Sequence, residues 1–187
     1  MSTVDHHPWA CPIRVIDLPT NDRDSMLTQV MLVGTPHDGQ PLDVVNNLER
    51  DEYKVIKTFV ETSILPRILQ YAIETFGVVL EIDDWNGWVR NCSSGMGTEL
   101  HDHSGAHVSA VYYLEGSWGD LMMHDPRGAV GRGYPDVVRE KCFSLFNHTP
   151  STGDLVIFPS YVYHYVQNHP PGLRIAIPID VSFKTAT

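Results

Sequence analysis

Cysteine is scarce in this 187-residue chain: Cys11, Cys92 and Cys142 are far apart and odd in number. None belongs to a CxxC pair, which argues against a zinc ribbon, and a disulfide framework is equally unsupported. Positive charge is also in short supply, with 13 Lys and Arg against 23 Asp and Glu and a formal net charge of −10. Without a Lys/Arg cluster, neither nucleic acid nor an anionic membrane is expected as the main partner. A small-molecule substrate fits better. No run approaches the roughly 18 apolar residues that cross a bilayer. The opening MSTVDHHPWACPIRV lacks the basic start and apolar centre of a secretory signal, so the expected location is cytoplasmic. Repeats and low-complexity tracts are missing too, and the length suits one domain over residues 1–187. Nothing in the sequence argues against a homodimer.

The two parts of the chain read differently. Residues 12–18, PIRVIDL, suggest a first strand. Residues 19–45 carry Pro, Gly, Asn and Asp at intervals and read as turns around a short apolar piece, MLTQVMLV. From Leu48 to Phe76 apolar residues recur every three or four positions, the period of a helix, with Gly77 as the stop. Pro66 predicts a kink or a second helix, capped by Thr62 or Ser63. After Gly77 come short β segments: VVLEI, GWVRNC, TELHDH, HVSAVYYLEG, DLMMHD, FSLFNH, DLVIFP, YVYHYVQ and RIAIPIDVSF. The expected fold is mainly β with N-terminal helices, a jelly roll. Residues 1–80 would form a strand and helical support layer, and residues 81–187 the β core.

Ten histidines are many for this length, and some fall where they can converge. His101 and His103 are two apart, so in a strand they point the same way, about 7 Å apart at Cα. Two such imidazoles can grip one metal ion. His164 follows a buried strand and a Pro159-Ser160 bend that would turn it into a barrel mouth. Arg174 lies ten residues on. A hairpin centred near His169 would set it opposite His164. A buried guanidinium needs an anion, and a ligand carboxylate would serve through a bidentate pair. Three histidines and an arginine are thus the parts of a facial metal site beside an organic acid. Such a site leaves open positions for a 2-oxoacid and dioxygen. His107, His124 and Arg127 are further candidates, as are Trp88, Asn91 and Tyr112 for the pocket wall.

The motifs His101-Asp102-His103, Ser109-Ala110-Val111-Tyr112-Tyr113-Leu114, Asp125-Pro126-Arg127, Gly153-Asp154 through Ser160 and His164, and Arg174 together resemble those of a family. It is the short bacterial and phage 2-oxoglutarate/Fe(II) oxygenase family. The resemblance implies a double-stranded β-helix, Fe(II), and oxidation of a substrate by O2 as 2-oxoglutarate becomes succinate. His101 and His164 would bind the metal, Arg174 the distal carboxylate, and Tyr113 the same ligand by hydrogen bond. A small-molecule or amino-acid-like hydroxylation substrate is expected. Two departures stand out: His103 replaces the usual carboxylate, and Ala176 the serine often found two past the arginine. Either His103 is the third ligand, which would make a three-histidine site, or it lies beside the metal with another group or water completing the sphere.

A cupin-type three-histidine dioxygenase or isomerase without 2-oxoglutarate is the alternative reading. Gly153, Pro159, His164 and Asn168 fit it, whereas Tyr161 and the missing glutamate after HxH do not. The N-terminal helices and residues 127–150 are expected to shape the substrate pocket.

Overall fold

The structure, a computed structural model, describes residues 11–33, 43–92, 95, 97–116 and 118–186. Two antiparallel sheets carry the fold. The larger has the order β1-β8-β5-β10-β3-β2 and the smaller β4-β9-β6-β7. In the larger, β1 is Arg14–Asp17, β2 Asp43–Asn47, β3 Leu80–Cys92, β5 Val108–Glu115, β8 Asp154–Pro159 and β10 Ile175–Thr185. In the smaller, β4 is Thr98–His101, β6 Leu121–Met123, β7 Phe146–His148 and β9 His164–Val166. From β3 onward the chain passes repeatedly from one sheet to the other, the winding of a double-stranded β-helix.

Alternation within strands decides what each face of the larger sheet meets. Ala110, Tyr112, Leu114, Leu155, Ile157, Ile175, Ile177, Ile179 and Val181 point to one side, where they pack on the helices in the main apolar core. Tyr113, Val156, Phe158 and Ala176 point to the other, into a second core between the sheets. The functional side chains belong to that second face. At about 25 cal/mol per Å² of buried apolar surface, both faces contribute to stability, and only one is free to carry chemistry.

The helices depart from the sequence expectation in places. Residues 23–33 form a helix, α1 (Arg23–Val33), where turns were expected around MLTQVMLV. Met26 and Val30, one turn apart, are its buried residues, too few to announce a helical stripe. The rest of the expected turn region, 34–42, lies outside the described residues. The helical stretch ending at Phe76 is present: α2 (Lys54–Phe59), a π-turn over Val60–Ile64, and α3 (Leu65–Phe76). No side-chain cap from Thr62 or Ser63 interrupts it. Pro66 lacks an N–H, so bonding widens by one residue before it, and Leu65 N donates to Val60 O. Pro66 then sits in the first turn of α3, where a proline is tolerated. Gly77 closes α3 at φ 67°, a left-handed C-cap.

VVLEI and GWVRNC are one thirteen-residue strand rather than two. Asp83, Asp84 and Asn86 look like breaks but sit on an exposed stretch of β3 that stays paired with β10. Among the described residues, no helix is long and apolar enough to cross a membrane.

Candidate active site

His101 ends β4 and pairs with His164, the first residue of β9. Their ring centroids are 4.4 Å apart. His103 lies beyond the end of β4, not on the strand as expected. Its backbone N–H donates to Ser160 O at 3.1 Å. That contact returns its ring to the other two, with centroids 5.1 Å from both. One ligand atom from each histidine falls within 4.8 Å of the others.

The tautomers follow from the neighbours. Nδ1 of His101 is 2.7 Å from Glu99 O, Nδ1 of His164 is 2.9 Å from Val162 O, and Nδ1 of His103 is 2.7 Å from Asp180 Oδ2. All three partners only accept, so each Nδ1 carries its proton and each Nε2 keeps a free lone pair. That is the arrangement a metal ligand requires. Ser109 Oγ donates to the other oxygen of Asp180 at 2.6 Å. Its one proton is then committed, so Ser160 Oγ, 3.0 Å away, donates to Ser109. Trp88 stacks on the outer face of His103, rings 5.7 Å apart and 15° from parallel. The histidines are therefore oriented before any ion arrives.

His164 is only 4% exposed. Burial pushes its pKa down to about 4, against the backbone bond to Val162 and with help from His101 and His103. The imidazole is neutral at pH 7. In the unfolded chain it takes a proton near pH 6.5. Stability of the metal-free protein is therefore lost as pH falls from about 6.5 to 4, because only the unfolded state binds that proton. The loss from this group is about 3 kcal/mol at pH 4. Urea unfolding at stepped pH should show that slope in the wild type and a shallower one in His164→Asn.

Arg174 is 2% exposed and lines the same cavity as the histidines. The expected hairpin pairing with His164 does not form. The chain changes sheets between β9 and β10, so the two residues approach from opposite sheets. Arg174 Nε donates to Trp118 O at 3.0 Å, and its Cζ lies 5.5 Å from the centre of the Tyr113 ring. Among the described residues, no carboxylate lies within 4.0 Å of its guanidinium. Gly119 (φ 74°) gives it room, since a Cβ there would come within 3.0 Å of Nε. Tyr113 is fully buried, and its hydroxyl finds no hydrogen-bond partner among the described residues. Burial raises its pKa far above the ordinary value, and the nearby Arg174 charge only partly offsets this, so the hydroxyl stays protonated. An orphaned neutral donor and a buried cation without a counterion call for an anion.

The other candidates separate cleanly. Trp88 lines the cavity. Tyr112 lies on the helix side of its sheet, donating to Leu18 O, and Asn91 alternates with Trp88 onto that side. His107 Nδ1 accepts from Phe183 N at 2.9 Å, away from the triad. His124 and Arg127 share a separate cavity with Cys11. Arg127 forms a two-pronged pair with Asp125, at 2.9 and 2.7 Å, and anchors a turn. Neither the helices nor residues 127–150 are among the described residues that line the metal cavity. The helices cover the opposite face of the sheet. Asp180 was not singled out from sequence. It shares parity with Arg174, Ala176 and Pro178 along β10, and that period of two was the available signal.

The geometry defines a class: a β-helix holding three oriented imidazoles beside a buried site for an organic anion, which suits a non-haem iron centre and a 2-oxoacid. Residues 86–180 match the family model described as "Putative 2OG-Fe(II) oxygenase". The chain belongs to this family of 2-oxoglutarate- and Fe(II)-dependent oxygenases, and its cofactors are Fe(II) and 2-oxoglutarate. No curated protein matches it in sequence. Among solved structures, a Pseudomonas putida prolyl-4-hydroxylase is similar in fold, with TM-score 0.63, 14% identity, and coverage of 96% of this chain and 95% of that one. EvdO2 from Micromonospora carbonacea var. aurantiaca, complexed with 2-oxoglutarate, gives TM-score 0.62 and 15% identity, covering 100% and 94%. HygX from Streptomyces hygroscopicus, with nickel and 2-oxoglutarate bound, gives 0.54 and 15%, covering 92% and 84%.

Proposed function

We propose that His101, His103 and His164 hold Fe(II) through Nε2, that Arg174 and Tyr113 bind the distal carboxylate of 2-oxoglutarate, and that the protein is a dioxygenase hydroxylating a small-molecule or amino-acid-like substrate. The observation that carries this reading is the common cavity: three free Nε2 lone pairs share it with a buried guanidinium that has no carboxylate partner and a phenol that has no hydrogen-bond partner among the described residues. Iron bound there supplies activation of dioxygen, coupled to decarboxylation of oxoglutarate to succinate. The chain's own residues do the rest. Arg174 presents donors to the carboxylate while Trp118 O holds Nε in place. Tyr113 adds an O–H donor that burial keeps protonated. Asp180 fixes His103 and places one negative charge next to three neutral ligands. This charge partly replaces the carboxylate that His103 displaces. The fold shared with a prolyl-4-hydroxylase supports an amino-acid-like substrate.

The test is an anaerobic titration with Fe(II) followed by 2-oxoglutarate. A weak visible metal-to-ligand charge-transfer band is expected on adding the oxoacid. Iron binding without that band at any oxoglutarate concentration would overturn the cosubstrate assignment and favour a cupin-type three-histidine enzyme.

A further inference from the structure

On the cavity side, the larger sheet presents its residues in rows, one from each of β5, β10 and β3. Ala176 pairs with Tyr113 on one side and Arg90 on the other. Pro178 pairs with Val111, and by the same β10–β3 register faces Trp88. Asp180 pairs with Ser109 and Asn86. The third row lies at the metal end, since Asp180 holds His103. The first lies at the arginine end: Arg174 precedes Ala176 by two residues, its Cζ lies 5.5 Å from the Tyr113 ring, and its carbonyl accepts from Cys92 N, which makes Arg90 its diagonal neighbour on β3.

Arg90 therefore shares a corner of the cavity with Arg174 and Tyr113, around the small side chain of Ala176. It lines the same cavity. Among the described residues, its Nε is buried without a hydrogen-bond partner and no carboxylate comes within ion-pair distance of it. Two arginines and a neutral phenol line this end of the cavity, and no acid is among its described lining residues. Two like charges at diagonal positions repel, and an anion bound between them removes the penalty. Ala176 has no polar group to offer a ligand, but its size leaves space for a long side chain from the next strand to reach across it.

We infer that Arg90 is a second carboxylate-binding residue of the cavity, gripping the distal carboxylate of the dicarboxylate cosubstrate together with Arg174 and Tyr113. The inference rests on the oxoglutarate reading of this cavity.

The test uses the full chain loaded with Ni(II) under anaerobic conditions and follows 2-oxoglutarate and 2-oxobutyrate binding by calorimetry. Arg90→Met keeps the aliphatic stem and removes the charge. Its Kd for 2-oxoglutarate should rise about tenfold or more, the scale of a lost charged hydrogen bond. Its Kd for 2-oxobutyrate, which has no distal carboxylate, should match the wild type. Arg90→Lys should fall between, having charge without the fork. Arg90→Gln carries the same expectation as Arg90→Met and serves if that variant does not fold. Equal 2-oxoglutarate affinity in wild type and variants, or equal weakening of both acids, overturns the inference. Failure of the wild type itself to bind 2-oxoglutarate overturns instead the reading on which it rests.

Discussion

His164→Ala is expected to abolish tight iron binding, lowering affinity by well over about 100-fold. The scale follows from the outer contacts. Losing a partner that orients a metal-bound histidine costs about 10–100-fold, so losing the ligand itself costs more. Asp180→Asn supplies the graded comparison. Asn keeps an oxygen for the Nδ1 proton of His103 but removes the charge, so iron affinity should drop within that 10–100-fold range. Competition against a chromogenic chelator, run anaerobically, measures both. His164 is buried, so its removal also leaves a cavity, and a thermal melt of the metal-free variant separates misfolding from ligand loss. Full iron affinity in a folded His164→Ala protein would remove His164 from the metal site.

Arg174→Met should raise the Kd for 2-oxoglutarate by about 100-fold or more while leaving iron affinity within a factor of two or three. Truncating one partner of a buried, hydrogen-bonded charge pair costs about 2–5 kcal/mol, and Arg174 is almost fully enclosed. Methionine fills most of the vacated volume, so packing contributes little to the difference. Direct titration of the iron-loaded protein in the visible band reads the effect. Unchanged oxoglutarate affinity would show that the carboxylate lies elsewhere, with Arg174 reduced to a support for the turn at Trp118 and Gly119. Arg174→Lys should recover only part of the affinity, because an ammonium group cannot reproduce the bidentate contact.

Much of this architecture was legible in the sequence because its periods are clean. The three- and four-residue spacing toward Phe76, closed by Gly77, gave the helices, and the alternating runs after it gave most of the strands. The misses have physical causes. Helix α1 buries only Met26 and Val30, so Pro, Asn and Asp nearby outweighed its weak pattern. Strand β3 runs through Asp83, Asp84 and Asn86 because pairing with β10 continues where burial stops. Placing Arg174 opposite His164 by hairpin arithmetic presumed that the chain stays in one sheet, and a β-helix changes sheet at that point. The two residues still share a cavity because the sheets face each other. Asp180 escaped notice because an acid in an apolar strand looks like an isolated exception until His103, 77 residues away, is placed beside it.

The middle row of the cavity floor has a consequence for how the protein tells one cellular acid from another. Between the arginine end and the histidine end, Val111 and Pro178 offer no hydrogen-bonding side chain, and Trp88, the third member of the row, has its ring stacked on His103. A pair of methylenes crosses such a waist at no cost. A hydroxyl in the same place gives up water for little, at about 1–3 kcal/mol. Malate carries the same two carboxylates as oxoglutarate but has a hydroxyl along its chain, and this dry stretch is what it would have to cross. With oxoglutarate bound as proposed, selectivity against such metabolites would come partly from Val111 and Pro178, two side chains without a polar group.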